Sequence, residues 1–223
     1  MGHKANPIGL RIGITQNWKS KWFDKKDYQK NLKQDIEIRL EVMKKWKAAS
    51  ISEVEIERSK AAIKIVIKTA RPGVLIGRGG SGAEDIRRYI RETFFKNARN
   101  VNLKLEIQEI KNFEESAMVV AQNVAEQMEK RMSFRRVMKM MLEQVMKSGS
   151  IKGVKIELSG RLGGAEMSRR EWLSKGTLPL HTLRANIDFA RATAATTYGS
   201  IGVKVWLYKG EVFEEKTNNL ENN

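Results

Sequence analysis

A chain of 223 residues is long enough for two modest domains with cores of their own. Its 42 lysines and arginines outnumber 26 aspartates and glutamates, a net charge of +16, so the leading partner class is a polyanion, nucleic acid above all. It has no cysteine, no apolar run of membrane-span length and no apolar core near its N-terminus; that excludes a disulfide framework, thiolate chemistry, a spanning helix and a signal peptide, and makes a cytoplasmic protein the default.

Residues 1–20 read as a basic arm. Gly2, Pro7, Gly9 and Gly13 break regular structure, and Lys4, Arg11 and Lys19 stud it. Arms of this composition stay disordered until they lie on nucleic acid. Met1-Gly2 opens like an acylation signal, but Asn6 stands where serine or threonine is wanted. Residues 27–47 are predicted helical, with Leu32, Ile36, Leu40, Met43 and Trp46 as one apolar stripe and Lys30, Lys33, Arg39, Lys44 and Lys45 opposite. Asp35, Glu37 and Glu41 among these cations favour a helix covering a sheet over one lying on an anionic membrane.

Two strands follow, Val54 and Ile56 in the first and Ile63, Ile65 and Ile67 in the second, joined through Arg58-Ser59-Lys60 and stopped at Arg71-Pro72-Gly73. A helical turn at Val74-Leu75-Ile76, a glycine loop, a helix from Ala83 to Phe95 with Ile86, Ile90 and Phe94 on one face, and a strand over 101–109 complete a first unit.

The loop reads Gly77-Arg78-Gly79-Gly80-Ser81-Gly82 and fits two templates. As G-x-G-x-x-G it matches a dinucleotide fingerprint, but that motif belongs at the end of a strand feeding straight into a helix, and here Pro72 and a helical turn intervene. A P-loop fails because no Gly-Lys-Ser/Thr follows. As G-x-x-G, Gly77-Arg78-Gly79-Gly80 sits between two helices behind three aliphatic residues, the KH arrangement that clamps about four nucleotides by their backbone. Glycines let the main chain approach phosphates, the next helix presents unpaired N–H groups, and Arg78 adds a charged donor. The bland reading is a plain helix–helix connection.

Asn112-Phe113-Glu114 marks a junction. Beyond it Ala117, Val120, Ala121, Val124 and Met128 outline one helix, and Phe134, Val137, Met138, Met141 and Val145 a second, the methionines serving as core filler. Strands are predicted at 154–158, around 167–173, at 185–191 and at 201–207. The fold class is therefore α+β, a KH-like unit followed by a second α+β domain with an antiparallel sheet and two helices. The divisions are an arm at 1–20, the KH unit at 21–111, the second domain at 112–210 and an acidic tail at 211–223.

The element order resembles the type II KH fold (helix-strand-strand-helix-helix-strand), and the whole chain to Gly210 resembles the family of the third protein of the bacterial small ribosomal subunit. The match is carried by the opening Gly2-His3-Lys4-Ala5-Asn6-Pro7 and by three longer motifs. These are Ser159-Gly160-Arg161-Leu162-Gly163-Gly164-Ala165-Glu166, Pro179-Leu180-His181-Thr182-Leu183-Arg184-Ala185 and Thr197-Tyr198-Gly199-Ser200-Ile201-Gly202-Val203-Lys204-Val205-Trp206. The resemblance implies a structural constituent of the small-subunit head, in the cytoplasm, with small-subunit rRNA, mRNA and neighbouring head proteins (the tenth and fourteenth) as partners. It further implies a basic helix at the mRNA entry channel that supports unwinding of structured mRNA, matched here by Arg135, Arg136 and Lys139. Met140 departs from the family, which often has another basic residue there. Independently, a helix starting near Ser133 would gather these three cations within a third of its circumference, where they would bind phosphates without reading sequence; otherwise they form a solvated basic face.

Further rRNA contacts are expected from Lys4 and Arg11 in the arm, and from Arg161, Arg169, Arg170, Lys175 and Arg184 in or between loops of the second domain, against ordinary surface charge. Trp172 and Trp206 are read as packing residues. No catalytic set is visible: His3 and His181 are the only histidines, no metal or cofactor is implied, and His181 reads as a hydrogen-bonded structural residue. A ribosomal component, a free KH regulator of particular RNAs and a dinucleotide-using enzyme remain the competing functions.

Overall fold

The computed structural model describes residues 4–59, 62–95 and 102–213. In chain order the elements are α1 (Pro7–Arg11), β1 (Ser20–Lys21), α2 (Tyr28–Lys45), β2 (Ile51–Arg58), β3 (Ala62–Thr69), α3 (Pro72–Ile76), α4 (Ser81–Phe94), β4 (Asn102–Glu109), α5 (Ala117–Glu129), α6 (Phe134–Lys147), β5 (Gly153–Gly160), β6 (Arg169–Gly176), β7 (Ala185–Thr196) and β8 (Gly199–Glu211). His3, Lys60, Val101 and the acidic tail past Phe213 lie outside the described residues.

From α2 to β4 the order is the type II KH order. The first sheet runs β1-β2-β3-β4, with β2 and β3 antiparallel and β1 and β4 added parallel at the edges. Alternation along β3 sends Ile63, Ile65 and Ile67 under the helices, where they meet Ile38, Val42, Leu75, Ile86 and Ile90. Its opposite face is polar: Lys64 pairs with Glu106 at 2.7 Å and Lys68 with Glu53 at 3.3 Å.

The helix α2 is turned about its axis relative to the predicted stripe. Ile38 and Val42 are buried, whereas Ile36 and Leu40 are 47% and 63% exposed. At about 100° per residue, that is a rotation of roughly 100°. The cause is Asp35, a buried carboxylate on the inner face. It accepts from Arg58 Nε at 2.8 Å, Trp22 Nε1 at 2.7 Å and Ser20 Oγ at 2.9 Å. Two segments, residues 20–22 and β2, are thereby tied to one side chain of α2, and the helix cannot roll without stranding its charge.

The second sheet is antiparallel throughout, in the order β6-β5-β8-β7. Both α5 and α6 cover one face. Val120, Val124, Met138, Met141 and Val145 pack on Ile156, Leu158, Val203 and Val205, so the methionines fill core gaps as expected. Asp188 of β7 accepts the backbone N–H of Ala117 at 2.9 Å and so supplies the carboxylate that the start of α5 requires. The two cores meet through polar contacts: Gln122 Nε2 donates to the Ile51 carbonyl at 3.0 Å, and Lys47 pairs with Glu129 at 3.4 Å.

The arm corrects its sequence reading. Asn6 accepts from the Ile8 N–H at 3.0 Å and starts α1, whose Ile8 packs beside Ala185, Ile187 and Trp206. Arg11 is fully buried. Its Nε donates to the Ala185 carbonyl at 2.8 Å, Nη1 to Pro7 at 3.1 Å, and Nη2 to Leu180 at 3.0 Å and Thr182 at 2.9 Å. Arg11 is thus a fastener between the arm and the 179–185 motif, not a surface cation for rRNA. His181, at the centre of that motif, is exposed, so the motif's structural work is done by the carbonyls on either side of it.

Candidate nucleic-acid interface

The glycine loop links α3 to α4 with Gly77, Gly79 and Gly80 all at positive φ (68°, 63° and 84°), a region that side chains rarely occupy. The glycines divide two tasks. A Cβ at Gly82 would lie 2.5 Å from the Leu75 carbonyl oxygen, whereas one at Gly79 or Gly80 would meet nothing within 4 Å. Gly82 therefore lets two helices touch, and Gly79 and Gly80 keep the loop surface bare. That accounts for the G-x-G-x-x-G spacing without any dinucleotide. Arg78, Val74 and Ile76 stand exposed beside the loop while Leu75 is buried. Bare backbone, a cation and an apolar flank thus share one surface at the start of α4.

The second basic element is the start of α6. Phe134, Val137 and Met138 are buried, leaving Arg135, Arg136 and Lys139 on the outer side. The neighbouring edge strand extends this row: Glu171 of β6 pairs with Arg135 at 3.4 Å and Arg169 at 3.0 Å. Both guanidinium groups also lie over the Phe134 ring, 5.5 and 5.6 Å from its centroid. Arg169 thus joins the α6 cations, a grouping that sequence spacing did not reveal. Met140 is exposed on the same side and adds no charge.

The other second-domain arginines expected to touch rRNA, Arg161, Arg170 and Arg184, each have protein partners. Arg161 donates from Nε to the Ala165 carbonyl at 2.9 Å and from Nη1 to Tyr198 at 3.5 Å, joining two of the family motifs. Arg184 pairs with Glu211 at 2.7 Å. Arg170 lies 3.8 Å from Glu157, on the sheet face that α5 and α6 leave open. That face also holds Lys155 and Lys204, with Lys4 of the arm above Trp206. Strand alternation carries the signal that could have located it, because Lys155 and Glu157 flank Ile156, and Lys204 and Trp206 flank Val205. Trp206 packs as expected, at 3% exposed; Trp172 does not, at 54%. Burial, reinforced by the Lys4 amine, holds the Lys155 ammonium down to about 8.

Among the described residues no group of three or more histidines, carboxylates or cysteines could hold a metal, and no helix is long and apolar enough to cross a membrane.

Known proteins resemble this chain over both units. A family model described as "KH domain" matches residues 37–115, and one described as "Ribosomal protein S3, C-terminal domain" matches residues 124–207. The small ribosomal subunit protein uS3 of Exiguobacterium sp. is 49% identical over 222 residues, covering 100% of this chain and 99% of the relative. Its counterpart in Shouchella clausii is 49% identical over 222 residues, covering 99% and 98%. That of Listeria monocytogenes is 48% identical over 221 residues, covering 99% of each.

Proposed function

Since the chain belongs to the uS3 family, structural RNA-binding components of the small ribosomal subunit and not enzymes, we propose that its α6 cations grip mRNA at the entry channel and support its unwinding. The observation that carries this reading is the exposed row Arg135, Arg136 and Lys139, extended by Arg169 through the shared Glu171 and Phe134. Such a row holds phosphates of any sequence, as a channel through which all messages pass requires. In the head of the cytoplasmic ribosome the bare loop at Gly77, Arg78, Gly79 and Gly80 grips RNA backbone, and Lys4, Arg161, Arg170 and Arg184 add rRNA phosphate contacts where their protein partners leave donors open. The tenth and fourteenth proteins of the subunit are the neighbours the family suggests; exposed Ile36 and Leu40 on α2 offer apolar surface for a protein contact.

The test compares ribosomes carrying Arg135→Ala, Arg136→Ala and Lys139→Ala together with unmodified ones, on messages with and without a stable hairpin. Slower elongation through the hairpin alone is expected. Equal rates on both messages would remove the unwinding role.

A further inference from the structure

We propose that the open face of the second sheet is a distinct single-stranded RNA site, in which Trp172 stacks one unpaired base and Lys4, Lys155, Arg170, Arg191 and Lys204 hold the adjoining phosphates. This deepens the reading above and rests on it, because it takes RNA as the partner and adds a seat for a base.

Register builds the site. Trp172 of β6 stands opposite Glu157 of β5, Glu157 opposite Lys204 of β8, and Lys204 opposite Arg191 of β7. The neighbouring row sets Lys155 opposite Trp206 and Trp206 opposite Phe189. Directly opposed residues share a face, and the face alternates along each strand. With Ile156, Val203 and Val205 committed to the core, these two rows must point away from α5 and α6. Lys4 lies across them, and together they enclose a hollow of about 430 Å³, within the size range of small-ligand sites.

Its chemistry is lopsided. Five cations line it against one carboxylate, Glu157, which sits 3.5 Å from Lys204 and 3.8 Å from Arg170. Lys155 is nearly buried, its ammonium 4.4 Å from the Trp172 ring centroid and 5.6 Å from that of Trp206. A desolvated ammonium beside the Lys4 amine is an arrangement that an incoming anion relieves. A solvated basic face would keep its lysines extended in water. The half-exposed Trp172 is the second independent feature. A wide aromatic surface inside a ring of cations is the combination single-stranded nucleic acid uses, stacking for the base and charge for the backbone. Trp172 also lines the hollow beside Arg135, Arg136 and Lys139, so a strand leaving the α6 row reaches this site directly.

The experiment titrates the full chain with a short single-stranded RNA, an abasic oligomer of equal charge, and polyglutamate. Trp172→Ala is expected to weaken RNA binding about tenfold, Trp172→Phe by less, and neither to alter abasic binding. A bound phosphate raises the Lys155 pKa, so affinity is full below about 8 and falls as pH rises through that value. The charged groups facing Lys155 are Lys4 of the arm, Glu157 of β5 and Arg170 of β6, with Lys204 and Arg191 across the hollow. Between pH 7 and pH 9 the loss is on the order of tenfold, and Lys155→Arg, which stays charged, flattens it. Unchanged RNA affinity in Trp172→Ala, or polyglutamate competing as well as RNA, overturns the site. If Gly79→Asp alone weakens binding, the site falls and the RNA reading stands. If the unmodified chain ignores RNA at low salt, both fall.

Discussion

Replacing Arg11 by alanine removes four donors that no other side chain can supply. The Ala185 carbonyl, bonded at 2.8 Å in buried surroundings, loses its partner, whereas that of Pro7, bonded at 3.1 Å, keeps its place in the backbone turn of α1. Those of Leu180 and Thr182 are partly buried, and water re-solvates them in part. An unpaired buried carbonyl costs about 1–3 kcal/mol, so Ala185 alone places the loss at roughly 2 kcal/mol. The effect is local as well as global, because α1 has five residues and a helix that short does not persist without packing. Urea unfolding measures the first effect as a lowered midpoint at constant slope. Amide exchange measures the second: the N–H groups of Leu10, Ile14 and Gln16, bonded within the arm, lose protection before the sheets do. Arg11→Lys should recover only part of either, since one compact ammonium cannot span the five carbonyls that the guanidinium reaches. An Arg11→Ala protein with the original midpoint and protected arm amides would refute the fastening role.

Two further perturbations separate packing from binding. Gly82→Ala drives a methyl group against the Leu75 carbonyl at 2.5 Å and should lower the unfolding midpoint, whereas Gly79→Asp meets open space but is strained at a φ of 63°, so it is compared with Gly79→Asn, which bears the same strain without the charge; only the Asp variant should lose further RNA affinity in filter binding, because a carboxylate then faces phosphate. Asp35→Ala leaves the Arg58 guanidinium buried without its carboxylate and should cost about 3–5 kcal/mol in urea unfolding; a loss under 1 kcal/mol would mean the pair does not hold α2 in place.

The regular parts of the fold were legible because their residues repeat with the period of their element. Ile63, Ile65 and Ile67, or Ile201, Val203, Val205 and Leu207, can only be strands with one buried face. The rotation of α2 was not legible, because its apolar residues spread over an arc wider than one stripe, with Ile38 and Val42 at its edge, and the residue deciding which row goes inward is the polar Asp35. For the arm, a basic side chain among glycines reads as a solvent-facing cation until the carbonyls of Leu180, Thr182 and Ala185, some 170 positions away, are brought around it. The α6 row was readable from helical spacing alone. Its continuation through Arg169 required knowing that the edge strand β6 runs beside the start of α6. The cations of the open sheet face were hidden because Lys155, Arg170, Arg191 and Lys204 come one from each strand, and only the strand order and register bring them together.

Salt dependence of RNA affinity tests most directly whether this chain grips RNA by its phosphates. Filter binding of the full chain to single-stranded RNA, with and without Arg135→Ala, Arg136→Ala and Lys139→Ala, gives log affinity against log salt. Each lost phosphate contact should reduce the steepness by about 0.7, so the triple variant is expected to be shallower by about 2. Identical slopes for the two proteins would contradict the assignment of these cations to RNA.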